Sequence, residues 1–246
     1  MPAPETPTSA IVSPCSTSRE TSCKMVSEDD AVVTFLDTDT ALITDVDMMR
    51  ILSVLLIYLC SLNAWGNTLL VVGDSLSAGY QMRAEQSWPV LLQPALKQQG
   101  HEITVVNASI SGDTTGNGLA RLPTLLQQHK PAYVIIELGA NDGLRGFPQG
   151  TIRNNLSQMI TEIQNADAKP MLVQIKVPPN YGKRYSDMFS SIYPQLSKEL
   201  ATPLLPFFLE QIILKQEWMM NDGLHPKSDA QPWIAEYMAE NIAPYL

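Results

Sequence analysis

Two loops of this sequence carry side chains that could together perform acyl transfer. Ser75 lies in the segment Gly-Asp-Ser-Leu-Ser at 73–77, directly after an apolar run. A serine hydroxyl is a weak nucleophile until a base removes its proton, and histidine is the usual base because it titrates near neutrality. His225 lies in a glycine- and proline-containing loop at 221–226, and Asp222 precedes it by three residues, so one tight turn can bring the carboxylate beside the imidazole. The sequence therefore predicts a triad of Ser75, His225 and Asp222.

Each of these residues also has an ordinary structural interpretation. A serine after a strand commonly caps a helix, and Asp-x-x-His often occurs by chance. The other histidines are expected in a surface turn (His101) and at the end of a helix (His129), where a cation suits the helix dipole. The remaining acids of the polar loops, Asp74, Asp113 and Asp142, are expected to brace their own turns. The prediction therefore depends on the combination of the serine loop with the histidine loop.

Acyl transfer also requires N–H donors aimed at the oxyanion of the tetrahedral intermediate. Gly112, in the loop 107–113, can expose its amide with no side chain in the way. Asn141, in the loop 139–143, can project its carboxamide from the end of a strand. Asn and Gly are also common turn residues, so these two positions gain their meaning from the serine and histidine loops.

The elements that must position these loops alternate along the chain from residue 67 onward. Short β-branched, apolar runs alternate with longer segments of helical periodicity, which is typical of an α/β protein with a parallel sheet. Ligands of such sheets bind outside the carboxyl ends of the strands, where the polar loops lie. The predicted strands cover 68–72, 102–106, 133–138, 170–175 and 202–205. The predicted helices cover about 88–99, 118–129, 151–166, 184–199 and 229–241.

Four separated blocks resemble, in order, those of the SGNH/GDSL hydrolase superfamily. They are Gly-Asp-Ser-Leu-Ser at 73–77, Gly112, Gly-Ala-Asn-Asp at 139–142 and Asp-Gly-Leu-His at 222–225. The α/β-hydrolase pattern Gly-x-Ser-x-Gly is not met, because Ser77 replaces its second glycine.

Longer matches around these blocks are similar to the periplasmic thioesterase and lysophospholipase branch of Gram-negative bacteria, and they extend over essentially all of 67–246. The resemblance implies a flavodoxin-like three-layer α/β/α sandwich with a five-stranded parallel sheet. It also implies Ser75 as nucleophile, His225 as base, Asp222 as its orienter and no cofactor, with an oxyanion hole of the Ser75 amide, Gly112 and Asn141. The implied substrates are long-chain acyl thioesters, lysophospholipids and other esters.

Apolar residues in loops expected near the site would distinguish a long acyl substrate from an acetyl group. Leu144, Phe147, Tyr181 and Tyr185 are predicted to form an apolar trough, although they could equally be ordinary core or rim residues. The segment 143–148 has two glycines and is expected to move and close over the chain. A carbohydrate or peptidoglycan O-acetylesterase would instead need only a small polar pocket. A non-catalytic binding domain on a hydrolase fold is a third possibility, and retention of all five site residues argues against it.

Composition and charge are those of a globular protein, and the small-molecule or lipid ester substrate is what the family resemblance implies. The chain is 45% hydrophobic and 17% charged. Its net charge of −9 is concentrated in residues 1–47, and from Met48 onward basic and acidic residues nearly balance. Residues 48–246 therefore lack the excess of basic residues that nucleic-acid binding requires, and they contain no basic run that would bind an anionic membrane. No protein partner is inferred.

Residues 48–66 have the proportions of a signal peptide. An apolar stretch of 12 residues at 51–62 follows Met-Met-Arg and is too short to span a bilayer. Small residues at 64 and 66 favour cleavage after Gly66, although a core helix is the alternative interpretation. We therefore expect a periplasmic or secreted domain at 67–246.

The acidic stretch 1–47 is expected to be a disordered leader, or to lie upstream of a translation start at Met48 or Met49. All three cysteines (Cys15, Cys23 and Cys60) precede residue 67, so the mature body is predicted to have neither disulfides nor a metal site. Bulky residues before Cys60 argue against a lipid anchor.

Overall fold

Five apolar runs pair into one parallel sheet with the order β2-β1-β3-β4-β5. The computed structural model describes Arg50 and residues 67–246, and the predicted leader and signal peptide therefore fall outside the described residues except for Arg50. This strand order is that of a flavodoxin-like doubly wound sheet, so the predicted fold class is confirmed. The strands are β1 (Thr68–Gly73), β2 (Thr104–Asn107), β3 (Tyr133–Glu137), β4 (Lys169–Val173) and β5 (Leu204–Leu205).

Helices cover both faces of the sheet. On one side α2 packs against α9, and on the other α3 packs against α5, which in turn packs against α7. The central strands are consequently buried on both faces, which explains why β1 and β3 are almost continuous apolar runs. The helices are α1 (Ser75–Ala78), α2 (Trp88–Gln98), α3 (Thr115–His129), α4 (Ala140–Leu144), α5 (Gln149–Asn165), α6 (Lys183–Ser190), α7 (Ile192–Glu199), α8 (Leu209–Ile212) and α9 (Gln231–Ile242).

The predicted helix 184–199 is in fact two helices, α6 and α7, separated at Ser191. Pro194 has no N–H to donate to the carbonyl of Ser190, and that carbonyl accepts instead from the Gln174 side chain at 3.1 Å. Two further helices, α1 and α4, are so short that periodicity could not reveal them. Both directly follow a strand, and both carry predicted site residues.

The sheet positions the site because β1 lies between β2 and β3. The chain leaves β1 toward β2 on one side and returns to β3 on the other, and the carboxyl end of β1 is thus the point at which the strand order reverses. Among the described residues, no helix is both long enough and apolar enough to cross a membrane.

Candidate active site

Ser75 is the first residue of α1, directly beyond β1. Asp74 caps this helix by accepting from Leu76 N at 3.0 Å, and Gly79 ends it with a left-handed φ of 78°. The turn is so tight that a side chain at Gly73 would lie 2.8 Å from Glu137 Oε2. The first amides of a helix have no acceptor within the helix, and the Ser75 amide donates to no other described residue.

His225 lies in a loop that is closed by its own backbone. Met220 N donates to the His225 carbonyl at 2.8 Å, and Gly223 adopts a positive φ of 66° that the turn requires. The imidazole Nε2 lies 2.9 Å from Ser75 Oγ, and its Nδ1 lies 2.7 Å from Asp222 Oδ2. The structure thus brings the three predicted triad residues together in hydrogen-bonding sequence.

Asp222 is fixed by hydrogen bonds within the same loop. Its second oxygen, Oδ1, accepts from Leu224 N at 2.9 Å and from His225 N at 3.0 Å. Partial burial alone would raise the pKa of Asp222, but these two amides and the His225 side chain outweigh it and hold the pKa below its ordinary value. Asp222 is therefore an ionised acceptor that can orient the imidazole and stabilise an imidazolium.

Tyr80 covers one face of the imidazole, which the sequence did not predict. The two ring centroids are 4.3 Å apart and the planes are tilted by 32°. The His225 side chain is only 17% exposed, compared with 39% for Asp222. The position of Tyr80, soon after the nucleophile helix, was visible in the sequence, but nothing in its spacing indicated contact with a residue so much later in the chain.

The two predicted oxyanion donors lie in the loops after β2 and β3. Gly112 has a positive φ of 87° and open space where a side chain would be, and its amide donates to no described residue. The Nδ2 of Asn141, in α4, donates to Asp113 O at 3.0 Å and to Asp74 Oδ2 at 3.2 Å. Three amide donors, from Ser75, Gly112 and Asn141, are thus carried by three adjacent loops.

Asp142, next to Asn141, anchors α4 to the start of α3. It is fully buried and accepts from Thr115 N at 2.9 Å and Thr115 Oγ1 at 2.5 Å. Burial raises the pKa of Asp142, and the two hydrogen bonds from Thr115 oppose that rise. The expected turn-bracing role of this aspartate therefore extends between two loops.

One cavity of about 380 Å³ adjoins the triad, and its lining is mostly apolar. Ser75, Asn141, Leu144 and His225 all line it, as does an ion pair between Lys176 Nζ and Glu210 Oε1 at 2.6 Å. Most of its apolar wall could not be predicted from the sequence, because these residues follow β4 and β5 and carry no local signal. The wall includes Val177, Pro178, Pro179, Phe207, Leu209 and Ile213.

Of the four residues predicted to form the acyl trough, only Leu144 lines this cavity. Tyr185 and Tyr181 instead donate their hydroxyls to the carbonyls of Gly143 at 2.8 Å and Leu144 at 3.1 Å. Phe147 is 37% exposed and lies outside the lining. The hydroxyls of the two tyrosines therefore hold the backbone of the segment after Asn141, and contact of the tyrosines with the substrate stays a prediction.

The segment 143–148 differs from the expected pair of glycine hinges. Gly143 belongs to α4 and is buried, and a side chain there would lie 2.5 Å from Val177 and 2.8 Å from Phe189. Close packing therefore requires a glycine at position 143. Gly146 has a positive φ of 69° and free space around it, so only this second glycine serves a turn. Movement of the segment stays a prediction.

Among residues 67–246, no three His, Cys, Asp or Glu side chains are grouped as a metal ion would require.

Comparisons with known proteins find similar hydrolases. The sequence profile described as the GDSL-like Lipase/Acylhydrolase family matches residues 71–231. The chain is 60% identical to an arylesterase of Vibrio mimicus over 200 residues, which are 81% of this chain and 100% of the arylesterase. It is 52% identical to "Thioesterase 1/protease 1/lysophospholipase L1" of Escherichia coli strain K12, over 74% of this chain and 86% of that protein.

A solved structure is similar over the same region. The psychrotrophic esterase EstA from Pseudoalteromonas sp., inhibited by monoethylphosphonate, matches with a TM-score of 0.70 and 45% identity. The match covers 73% of this chain and 98% of that one.

Proposed function

The chain belongs to the GDSL-like Lipase/Acylhydrolase family, and we propose that it hydrolyses acyl esters and thioesters through an acyl-enzyme formed on Ser75. Ester and thioester hydrolysis accords with the names of its relatives, an arylesterase and a thioesterase/lysophospholipase. The observation that carries the proposed mechanism is the hydrogen-bonded series from Ser75 to His225 to Asp222, at 2.9 and 2.7 Å, beside an apolar cavity.

In the first half-reaction, Ser75 Oγ forms a bond to the acyl carbonyl carbon while its proton passes to His225 Nε2. The carbonyl π electrons move onto oxygen, and the resulting oxyanion accepts hydrogen bonds from the amides of Ser75 and Gly112 and from Asn141. When the intermediate collapses, the C–O or C–S bond breaks and the leaving alcohol or thiol takes the proton from Nε2. Asp222 stabilises the imidazolium throughout.

In the second half-reaction, water replaces the alcohol or thiol. His225 Nε2 takes a proton from the water as its oxygen attacks the acyl carbon, and the same donors hold the second oxyanion. Collapse of that intermediate breaks the bond to Ser75 Oγ, which regains its proton from Nε2. The products are a carboxylic acid and the free enzyme, so the cycle needs no redox partner.

The cavity favours an acyl chain over an acetyl group. Its wall is built from aliphatic, proline and phenylalanine side chains, and about 380 Å³ is much more space than two carbons fill. A carbohydrate O-acetylesterase would require polar walls, and no feature of this cavity favours that alternative. Apart from Asp74 and His225 at the nucleophile, its ionisable lining groups are the Glu210 carboxylate and the Lys176 ammonium, which neutralise each other.

The decisive experiment measures kcat/KM of the chain 67–246 on p-nitrophenyl esters and acyl-CoAs from C2 to C16. We expect activity on both classes, with a preference for chains longer than acetyl. Ser75→Ala should abolish turnover and labelling by a fluorophosphonate probe, whereas Ser228→Ala should retain both. Labelling that persists in Ser75→Ala would refute the nucleophile, and activity confined to acetyl esters would favour the acetylesterase.

We also propose that residues 48–66 are a signal peptide and that the exported chain begins at Asn67. The short apolar stretch after Met-Met-Arg and the small residues before Asn67 support this proposal. The intact mass of the protein recovered from the periplasm or medium tests it. A species that retains residues 1–47 would contradict both the start site and the cleavage.

A further inference from the structure

Two buried carboxyl groups that this acyl-transfer scheme does not use lie beneath the nucleophile. Asp74 and Glu137 have no exposed surface. The pairing of β1 with β3 places Gly73 opposite Glu137, so the two acids meet at the carboxyl ends of adjacent strands. Burying two ionisable groups side by side is costly unless their protons and hydrogen bonds are organised. Two buried acids at this position therefore call for a role.

Glu137 contacts the nucleophile turn through one of its two carboxyl oxygens. Its Oε2 accepts from Ser77 Oγ at 2.7 Å and lies 3.4 Å from Asp74 N, while its Oε1 has no partner among the described residues. Burial, with the charge of Asp74 in addition, raises the pKa of Glu137 well above its ordinary value. Tyr193, on α7, is the other titratable group that senses Glu137. The raised pKa favours the uncharged form of Glu137, and its Oε2 braces the nucleophile turn through Ser77.

Asp74 is the charged member. Burial raises its pKa to about 6, and hydrogen bonds from Leu76 and Asn141 and the nearby His225 limit that rise, while Asp142 adds to it. Asp74 is therefore mostly a carboxylate at neutral pH. Each of its oxygens accepts one bond, Oδ1 from Leu76 N in α1 and Oδ2 from Asn141 Nδ2 in α4.

The contacts of Asn141 show what this carboxylate achieves. A carboxamide can face a site with its NH2 end or, after a flip, with its carbonyl, and only the NH2 end stabilises an oxyanion. Asp74 Oδ2 and Asp113 O are both acceptors, and together they hold the Nδ2 end toward the nucleophile turn.

We propose that Asp74 is the positioning residue of the oxyanion hole: its carboxylate joins the first turn of α1, which carries Ser75, to the carboxamide of Asn141 and fixes which end of that amide faces the reacting carbonyl. Glu137 supports this arrangement by accepting a hydrogen bond from Ser77, which lies in the same turn as Ser75. The inference rests on the proposed acyl-transfer function. It assigns no contact between Asp74 and the substrate.

A double-mutant cycle with Asp74→Asn and Asn141→Ala tests this proposal. The new amide at 74 places a donor where Asn141 needs an acceptor, so Asp74→Asn should lower kcat on a p-nitrophenyl ester about 10- to 100-fold, with KM within about twofold. The double variant should be no slower than Asn141→Ala alone, because Asp74 acts through Asn141. Effects that multiply would overturn the proposal and leave Asp74 as a turn brace.

Asp113→Asn is the matched control for the cycle. The Asp113 carboxylate is also buried, but it pairs with Arg121 at 2.8 Å, and only its backbone carbonyl contacts Asn141. The fold-loss in kcat caused by Asp113→Asn should therefore multiply with the fold-loss caused by Asn141→Ala. Wild-type activity on the ester is measured first. No activity would contradict the proposed function, whereas normal activity with multiplying effects in the cycle would contradict only the proposed role of Asp74.

The pH dependence of kcat provides a second test that needs no change at Asp74. Protonation of Asp74 weakens its acceptor bond to Asn141, so wild-type kcat should show a step of about 10- to 100-fold as pH falls through about 6. Asn141→Ala has no such bond to lose, and its kcat profile should lack this step. A step of equal size in the two proteins would overturn the proposal.

Discussion

The two halves of the candidate site are built in different ways. The proton-transfer half comprises Ser75, His225 and Asp222, and the last two belong to one loop whose hydrogen bonds are local and whose aspartate is 39% exposed. The oxyanion half comprises Gly112 and Asn141 with their buried support, and its contacts join three loops that are distant in the sequence. One half is thus a self-contained turn docked against a serine, and the other exists only once the sheet has formed.

This difference predicts how the halves respond to change. A local turn keeps its geometry when neighbouring parts of the protein relax, and its loss should affect chemistry without affecting stability. A buried network that bridges strands couples chemistry to the stability of the sheet edge.

Loss of the base should remove almost all activity while leaving the fold intact. We expect His225→Ala to reduce kcat on the order of 10⁴–10⁶-fold, because members of a triad act as a unit. The Tm should change little, since the loop is closed by backbone hydrogen bonds. His129→Ala, at the end of α3, is the matched control and should keep wild-type kcat. A comparable loss in both variants would mean that the effect is not specific to the triad.

Loss of the oxyanion side chain should be smaller in kcat but should extend to stability. Asn141→Ala removes one donor, for which about 10²–10³ in kcat is expected with KM nearly unchanged. It also leaves the buried Asp74 carboxylate without one of its partners. We therefore expect a lower Tm, measured by calorimetry, in addition to the kinetic loss. A change confined to KM would make Asn141 a binding residue instead.

The contrast also explains how much the sequence could reveal. The five strands and their parallel pairing were predictable because strands buried on both faces appear as apolar runs, and the serine and histidine loops stood out by residue type and spacing. The bond between Asp74 and Asn141 could not be predicted, since it depends on the order of the strands. An apolar loop residue can face either the core or the cavity, which is why Leu144 lines the cavity and Phe147 and the two tyrosines do not.

The buried support of the oxyanion half should dominate the pH dependence of the free energy of unfolding. The pKa of Glu137 is raised in the folded state, so between its unfolded and folded pKa values the folded protein binds more protons, and stability falls as pH rises through that window. Glu137→Gln cannot ionise. Its Tm relative to wild type should therefore increase from about pH 4.5 upward, by about 2–4 °C for each kcal/mol. A difference in Tm that is constant with pH would show that Glu137 does not titrate.

Substitution of Tyr80 tests whether the proton-transfer half depends on the aromatic ring that packs against His225. Its ring should stabilise the imidazolium that forms when His225 takes the serine proton, and at a partly exposed site this is worth about 1 kcal/mol, or roughly fivefold in rate. Tyr80→Leu should lower kcat by about that factor, whereas Tyr80→Phe keeps the ring and should restore the rate. If the two variants were equally slow, the Tyr80 hydroxyl would matter rather than the stacked ring.

The smallest effect concerns Leu144, which directly follows the buried part of α4 and faces the cavity. If the acyl chain packs against it, each methylene removed from water contributes up to about 0.8 kcal/mol, and part of that depends on the leucine side chain. Leu144→Ala should therefore be nearly silent on a C2 ester and should lose kcat/KM progressively from C4 to C12. Phe147→Ala lies in the same segment but outside the cavity lining and is the matched control, with no dependence on chain length expected. A Leu144→Ala penalty equal on every ester would mean that this residue only packs the segment, and the acyl chain would then have to follow the wall formed after β4 and β5.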